Sequence, residues 1–218
     1  MNVHRVYELL FRGFRGRRMK RFVETFQPTA ETTVLDVGGT PYNWERIDAR
    51  FPITLLNTKR QEADGLDACY TLVQGTGTQL EYPDRSFDIA FSNSVIEHVG
   101  SLDAQRAFAK ELRRVGRQVW VQTPARSFFF EPHLLTPFIH FLPRSWQRRL
   151  VRNFTVWGWI TRPSRASVDR MLGELCLLDH ATFRELFPDC EIHRERFFGF
   201  TKAFVAVRIE GPDAPSFQ

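Results

Sequence analysis

Two stretches decide the fold: Val34-Leu35-Asp36-Val37-Gly38-Gly39-Thr40 and Ser86-Phe87-Asp88-Ile89-Ala90-Phe91-Ser92-Asn93-Ser94-Val95-Ile96-Glu97-His98-Val99. In each, a short apolar run enters a turn of small residues and carries a polar group at its carboxyl end. Short, continuous apolar runs are strands covered on both faces. The carboxyl end of such a strand is where a parallel α/β sheet meets its ligands.

Working outward, Pro28 breaks the helical pattern before a strand over 32–37. A helix is predicted over 42–51, ended by Pro52, then a strand over 53–56 with Asn57 at its end. A polar loop over 59–67 precedes a weaker strand over 69–73 and the turn Gly75-Thr76-Gly77. After the strand over 87–91, Asp103 is placed to cap a helix whose apolar face is Ala104, Phe108, Leu112 and Val115. Gly116 stops it, and 118–122 forms a fifth strand closed by Pro124. This alternation predicts a parallel sheet with helices on both faces.

From 128 to 160 aromatics and prolines cluster, among them Phe128-Phe129-Phe130, Pro132, Pro137, Trp146 and Trp157. They read as a helical cap inserted over the carboxyl edge of the sheet, at about 125–170. Asp179 caps a helix through Leu186, and 191–196 and 203–209 alternate as a final antiparallel pair. The expected organisation is a basic, amphipathic helical segment over 1–27, one domain over 28–210 and a flexible polar tail over 211–218.

The 218 residues suffice for one domain with a substantial core, and the 43% hydrophobic and 25% charged fractions are those of a soluble globular chain. No apolar run reaches bilayer-spanning length, and residues 1–5 lack the order of a secretory signal. The expected compartment is the cytoplasm, with membrane-surface association open. Cys69, Cys176 and Cys190 are too few and too scattered for a disulfide framework or a zinc site, and no metal is expected.

Much of the +5 net charge is local. Arg12, Arg15, Arg17, Arg18, Lys20 and Arg21 interleave with Phe11, Phe14, Met19 and Phe22. The segment reads as a leading helix packed on the domain with its Arg stems over apolar surface, as a helix lying on an anionic membrane, or, least favoured, as a nucleic-acid patch. Gly13 and Gly16 weaken a helix there by about 1 kcal/mol each.

In this order and at this separation the two opening stretches resemble the first and fourth motifs of class I S-adenosylmethionine-dependent methyltransferases of the type 11 kind. The resemblance implies a Rossmann-like α/β fold, a seven-stranded, mostly parallel sheet with helices on both faces and here an aromatic-rich cap. It implies S-adenosyl-L-methionine as cofactor. Asp36 then matches the acidic strand-end residue near the methionine moiety, and Gly38 and Gly39 allow close backbone approach.

Asn57 stands where the family usually has the carboxylate that takes the ribose hydroxyls. It keeps an acceptor, adds donors and drops the charge. Thr76, followed by Gly77 and Thr78, stands where an Asp near the adenine is usual. Losing each carboxylate costs about 1–2 kcal/mol of cofactor affinity. By the same resemblance Ser92, Asn93 and Val95 would line the site beside the sulfonium, and His98 is a candidate general base, unless Glu97 and His98 only organise the following helix.

Beyond the fifth strand, Gln122-Thr123-Pro124-Ala125-Arg126 leads to Glu131-Pro132-His133, a run similar to that of a subset of the same family. Glu131 and His133 are candidates for acid–base work, and the alternative is a hydrogen bond that stabilises the loop under the cap. The implied activity is direct methyl transfer to a small-molecule or lipid-linked acceptor. Two rivals stay open: a non-catalytic binding or regulatory protein on the same fold, motivated by Asn57 and Thr76, and an RNA methyltransferase, motivated by the basic segment. A nicotinamide-dependent dehydrogenase fits poorly, because Gly38-Gly39-Thr40-Pro41-Tyr42-Asn43 lacks the G-x-G-x-x-G spacing.

Overall fold

A computed structural model of the chain describes residues 3–62 and 65–210, with residues 3–12 described in backbone only. Helix α1 (Val3–Phe26) leads into β1 (Val34–Val37), α2 (Pro41–Trp44), β2 (Ile53–Asn57), β3 (Tyr70–Gln74), β4 (Phe87–Asn93), α3 (Leu102–Val115) and β5 (Gly116–Pro124). A small hairpin, β6 (Phe130–Glu131) and β7 (Thr136–Pro137), opens the cap, which continues with α4 (Arg144–Phe154), α5 (Val156–Thr161) and α6 (Arg165–Glu174). Helix α7 (His180–Leu186) returns the chain to the sheet for β8 (Glu191–Phe197) and β9 (Phe200–Arg208).

The sheet runs β3-β2-β1-β4-β5-β9-β8. Its first five strands are parallel, while β9 is antiparallel to both β5 and β8. The seven-stranded, mostly parallel sheet expected from the sequence is therefore present. Strand order reverses between β1 and β4, and at such a switch point the connections diverge and leave a crevice at the carboxyl ends.

Alternation along the strands sends apolar side chains to both faces. Leu35, Val37, Ala90 and Val121 pack under α3 and α7 with Phe108, Leu112, Phe183 and Phe187. Val34, Leu55, Phe91 and Trp120 pack on the opposite face with Trp44 and with Met19 and Phe22 of α1. Phe22 meets Trp44, Phe91 and Trp120 edge-on, at centroid separations of 5.4, 5.4 and 5.7 Å. The leading helix thus supplies part of one covering layer of the sheet. Phe11 and Arg12 side chains, and the tail expected over 211–218, lie outside the described residues.

Some boundaries differ from the sequence pattern for local reasons. The helix after β1 tightens into a 3-10 turn at Glu45–Ile47 and ends at Asp48, which is left-handed with φ 48°. Ser101 caps α3 by accepting from the Ala104 amide at 3.3 Å. Asp103 instead sits in the first turn, where a carboxylate favours the helix dipole. Asp179 does cap α7, accepting from Thr182 N at 2.9 Å. The cap has a small core of its own, Leu134, Ile139, Val151, Val168 and Leu172. No helix among the described residues is long and apolar enough to cross a membrane.

Candidate active site

Strand β4 ends in Asn93, and the chain turns sharply through Ser94, with φ 57°, into a 3-10 turn at Ile96–His98. That turn aims neighbouring side chains in different directions. Glu97 is buried beneath the sheet edge, where its Oε2 accepts from Thr123 Oγ1 at 3.0 Å. Its Oε1 has no partner among the described residues, and burial pushes its carboxyl above the usual range. His98 instead reaches the mouth of a cavity.

The β6–β7 hairpin brings Glu131 and His133 to the same place. Glu131 is fully buried, with Oε1 2.7 Å from His133 Nδ1 and Oε2 accepting from Leu134 N at 2.6 Å. His133 Nε2 lies 3.0 Å from His98 Nε2, the rings edge-on at 4.7 Å. The three candidate acid–base residues thus form one hydrogen-bonded chain. Burial, then the neighbouring His133 charge, pushes His98 down to about 4, against a weaker pull from Glu131. Burial opposes the charged form of His133 too, but the hydrogen bond and charge of Glu131, aided by Glu97, prevail and raise it above 6.5.

The cavity holds about 650 Å³ at the carboxyl edge of the sheet. His98 and Gln122 line it on the sheet side, His133, Trp157 and Met171 on the cap side, and Phe14, Arg15 and Arg18 on the α1 side. Arg18 is nearly buried. Its Nε and Nη2 bind both carboxylate oxygens of Glu195 at 2.7 and 2.6 Å, and its Nη1 donates to Asn93 Oδ1 at 2.5 Å and Gln122 Oε1 at 2.8 Å. Burial disfavours the charge on Glu195, but Arg18 holds that carboxyl below the usual range. Lys202 lies over the Phe14 ring at 3.5 Å, and burial, then Arg18, pushes it down to about 8.

The candidate cofactor residues cluster at the carboxyl ends of β1 to β4, beside this cavity and outside its lining. Asp36 is completely buried; its Oδ2 accepts from Trp44 Nε1 at 2.7 Å and its Oδ1 has no partner among the described residues. Burial raises its pKa to about 7, against the Trp44 hydrogen bond. Both glycines are needed by the loop itself: a Cβ on Gly39 would lie 1.8 Å from Asp36 Oδ2, and one on Gly38, where φ is +79°, would lie 2.5 Å from Val95.

Other members of the set are also engaged by the protein. Asn57 Nδ2 donates to Gly39 O at 2.8 Å, Ser92 Oγ to Val37 O at 2.9 Å, and Thr76 and Thr78 pair through their hydroxyls at 2.9 Å. Gly77 is buried, with no room for a Cβ beside Phe108 and Val37. A nucleoside-bearing cofactor fits this edge in two respects. Gly38 offers exposed backbone next to Gly39, whose carbonyl Asn57 at the end of β2 holds, and the orphaned Asp36 oxygen lies beneath Gly39.

Sequence reasoning missed the α1 contribution, because nothing in an Arg-rich helix says which guanidinium turns inward. It also missed Tyr42, Gln122 and Lys202 at the cavity wall. One ligand-type atom each of Glu97, His98 and His133 lies within 4.8 Å of the other two, a grouping that no sequence spacing discloses. The 3.0 Å gap between the two Nε2 atoms is that of an ordinary hydrogen bond, in which one ring donates and the other accepts.

Comparison with known proteins bears on the fold that carries this site. Residues 46–118 match the family model of the methyltransferase domain. An S-adenosylmethionine-dependent methyltransferase from Methanosarcina mazei superposes with a TM-score of 0.50 at 13% identity, over 85% of this chain and 95% of that one. A protein from Rhodobacter sphaeroides described as a Zn-dependent alcohol dehydrogenase gives 0.59 at 17% identity, over 88% of each chain. PigF, solved with S-adenosylhomocysteine, gives 0.52 at 11% identity, over 87% of this chain and 59% of that one. At these identities the likeness is one of fold. The chain spans under two thirds of some matched structures, 46% in the case of the [4+2]-cyclase SpnF. No curated protein matches the chain.

Proposed function

We propose that the chain is a class I methyltransferase dependent on S-adenosylmethionine, a reading supported by the methyltransferase-domain match over residues 46–118 and by the sheet order, and that it methylates a small-molecule or lipid-linked acceptor held in the cavity, with His98 as the base. The observation that carries this reading is the Glu131–His133–His98 chain ending at the cavity wall. Bound S-adenosylmethionine supplies an electrophilic methyl group on a positively charged sulfur. The chain's own residues orient the acceptor, exclude water and take its proton.

In the base-ready state His133 is neutral. Its Nδ1–H donates to Glu131, and its Nε2 accepts from His98 Nε2–H. His98 Nδ1 is then free to take a proton from an acceptor hydroxyl or amine. As it does so, its Nε2 proton passes to His133, whose imidazolium is held by Glu131. The opposite shifts of the two rings support that direction of travel, because the proton ends on the more basic one. The walls support an acceptor with two characters: Phe14, Phe128 and Trp157 suit an apolar portion, and Arg15 and Lys202 suit a polar or anionic end.

Calorimetric titration with S-adenosylmethionine and S-adenosylhomocysteine, on wild type and Asp36→Ala, tests the premise. Micromolar binding that the substitution abolishes is the expected result. Folded protein that binds neither ligand up to millimolar concentration would overturn it. The non-catalytic reading would then lead, favoured by the Asn57 amide that is committed to Gly39 O.

A further inference from the structure

The hairpin between β8 and β9 turns through Phe198 and Gly199, with Phe197 opposite Phe200. Both turn residues have positive φ, 46° and 83°. A two-residue turn of this kind favours Asn-Gly, and a bulky side chain at its first position is strained. Phe198 is nonetheless there and is 86% exposed. It serves neither the turn nor the core.

Its neighbours extend the same surface. Phe200 is 55% and Phe138 61% exposed. Phe138 also sits at positive φ, 61°, where Asn would be easier. The rings are continuous with the cavity: Phe198 touches Phe197 at 4.5 Å, and Phe197 touches both Phe14 and Phe128, which line it, at 5.5 and 6.3 Å. Phe129 joins Phe128, Phe200 and Phe138 at 4.7, 5.5 and 6.0 Å. Along β8, exposed Arg194 and Arg196 flank the tip, while Glu195 between them is neutralised by Arg18.

We propose that this aromatic tip, with Phe138 beside it, is a docking surface for an anionic lipid bilayer, and that it brings the cavity mouth to the membrane. Phenyl rings enter the interfacial region while the arginines meet anionic headgroups. This docking element is separate from the basic leading helix. The proposal deepens the lipid-linked reading of the acceptor and rests on it for its purpose, though its geometry stands alone.

The test is co-sedimentation of the full chain with vesicles of phosphatidylcholine mixed with phosphatidylglycerol, and with phosphatidylcholine alone. Wild type, Phe198→Asn and the double variant Phe198→Asn/Phe138→Asn are compared. Asn suits both backbone positions, so melting temperatures should hold or rise and a folding defect is not the readout. Wild type should bind the anionic vesicles more tightly than neutral ones, and each substitution should lower partition by about tenfold. Absence of wild-type binding, equal binding to neutral vesicles, or an unaffected double variant would overturn the proposal. So would a wild-type dimer in sedimentation that the substitutions dissociate, which would make the surface a self-contact. Because cofactor binding is measured separately, failure here leaves the methyltransferase reading untouched.

Discussion

Replacing Glu131 by Gln removes the carboxylate that makes His133 the more basic ring of the pair. The His133–Glu131 contact is a charge-assisted hydrogen bond of 2.7 Å to a fully buried group. Such a bond contributes about 1.5–3 kcal/mol, equivalent to about 1–2 pKa units. With burial then unopposed by Glu131, His133 should fall from above 6.5 to below it. Titration of ring-labelled histidines by NMR reads this without an acceptor, each signal being assigned by substitution among the six histidines. In wild type the coupled pair should titrate in two separated steps, one above 6.5 and one near 4. The sign for activity follows: the base-ready state has neutral His133, so wild-type rate is lost as pH falls through the His133 value. The variant should hold its rate to lower pH while its maximum drops by up to about a hundredfold. Gln can accept from only one of His133 and Leu134, so a control melt should show a loss of about 1–3 kcal/mol. A His133 that titrates below 6.5 in wild type, or does not move in the variant, would refute the relay.

Two further outcomes follow from buried charge. Folded Asp36 keeps its proton up to about pH 7, whereas an ordinary carboxyl loses it near 3.8. Stability therefore falls as pH rises across that window, and Asp36→Asn should relieve a few kcal/mol at pH 8 and almost none at pH 4; equal melting shifts at both pH values would contradict a buried, proton-holding Asp36. Arg18→Met strands the Glu195 carboxylate and should cost about 3–5 kcal/mol, much of it recovered by adding Glu195→Met; a denaturant double-mutant cycle that shows no recovery would mean that Arg18 matters through Asn93 and Gln122 instead.

The parts of the molecule written as local pattern were legible from sequence. The short apolar runs around Leu35, Leu55, Ile89 and Val121 had to be buried strands, and the spacing of Phe108, Leu112 and Val115 had to be a helix lying on them. Glu131 and His133 were legible as acid–base candidates because they are close in sequence and leave the functional edge of the sheet. What was not legible depends on distant segments meeting. His98 and His133 are 35 residues apart and touch only because the β6–β7 hairpin folds back over the end of β4. Arg18 and Glu195 are separated by 177 residues. The basic segment could be read as a helix packed on the domain, as Met19 and Phe22 in the core now show, but it gave no sign of which guanidinium enters the site, since its arginines are spread around the helix.

Asn57 shows how such distant contacts change the meaning of a motif. A carboxylate is usual at this strand end in the family the chain resembles, so restoring it by Asn57→Asp looks like a repair. The surroundings argue the opposite. Asn57 Nδ2 donates to Gly39 O at 2.8 Å, and the same loop is held by Gly38 N donating to Leu56 O at 2.7 Å. An aspartate has no hydrogen to donate, so a charged oxygen would face the Gly39 carbonyl and push on a loop already fixed from below by Asp36. Losing the bond and leaving two acceptors together costs about 1–3 kcal/mol. On one side Gly39 has no slack, because the Asp36 carboxyl fills the space where a Gly39 Cβ would lie. Asn57→Asp should therefore lower both the melting temperature and the affinity for S-adenosylhomocysteine, by about tenfold in the calorimetric dissociation constant. An aspartate variant that binds the ligand more tightly than wild type would show that the loop yields to ribose recognition and that the amide is not what holds it.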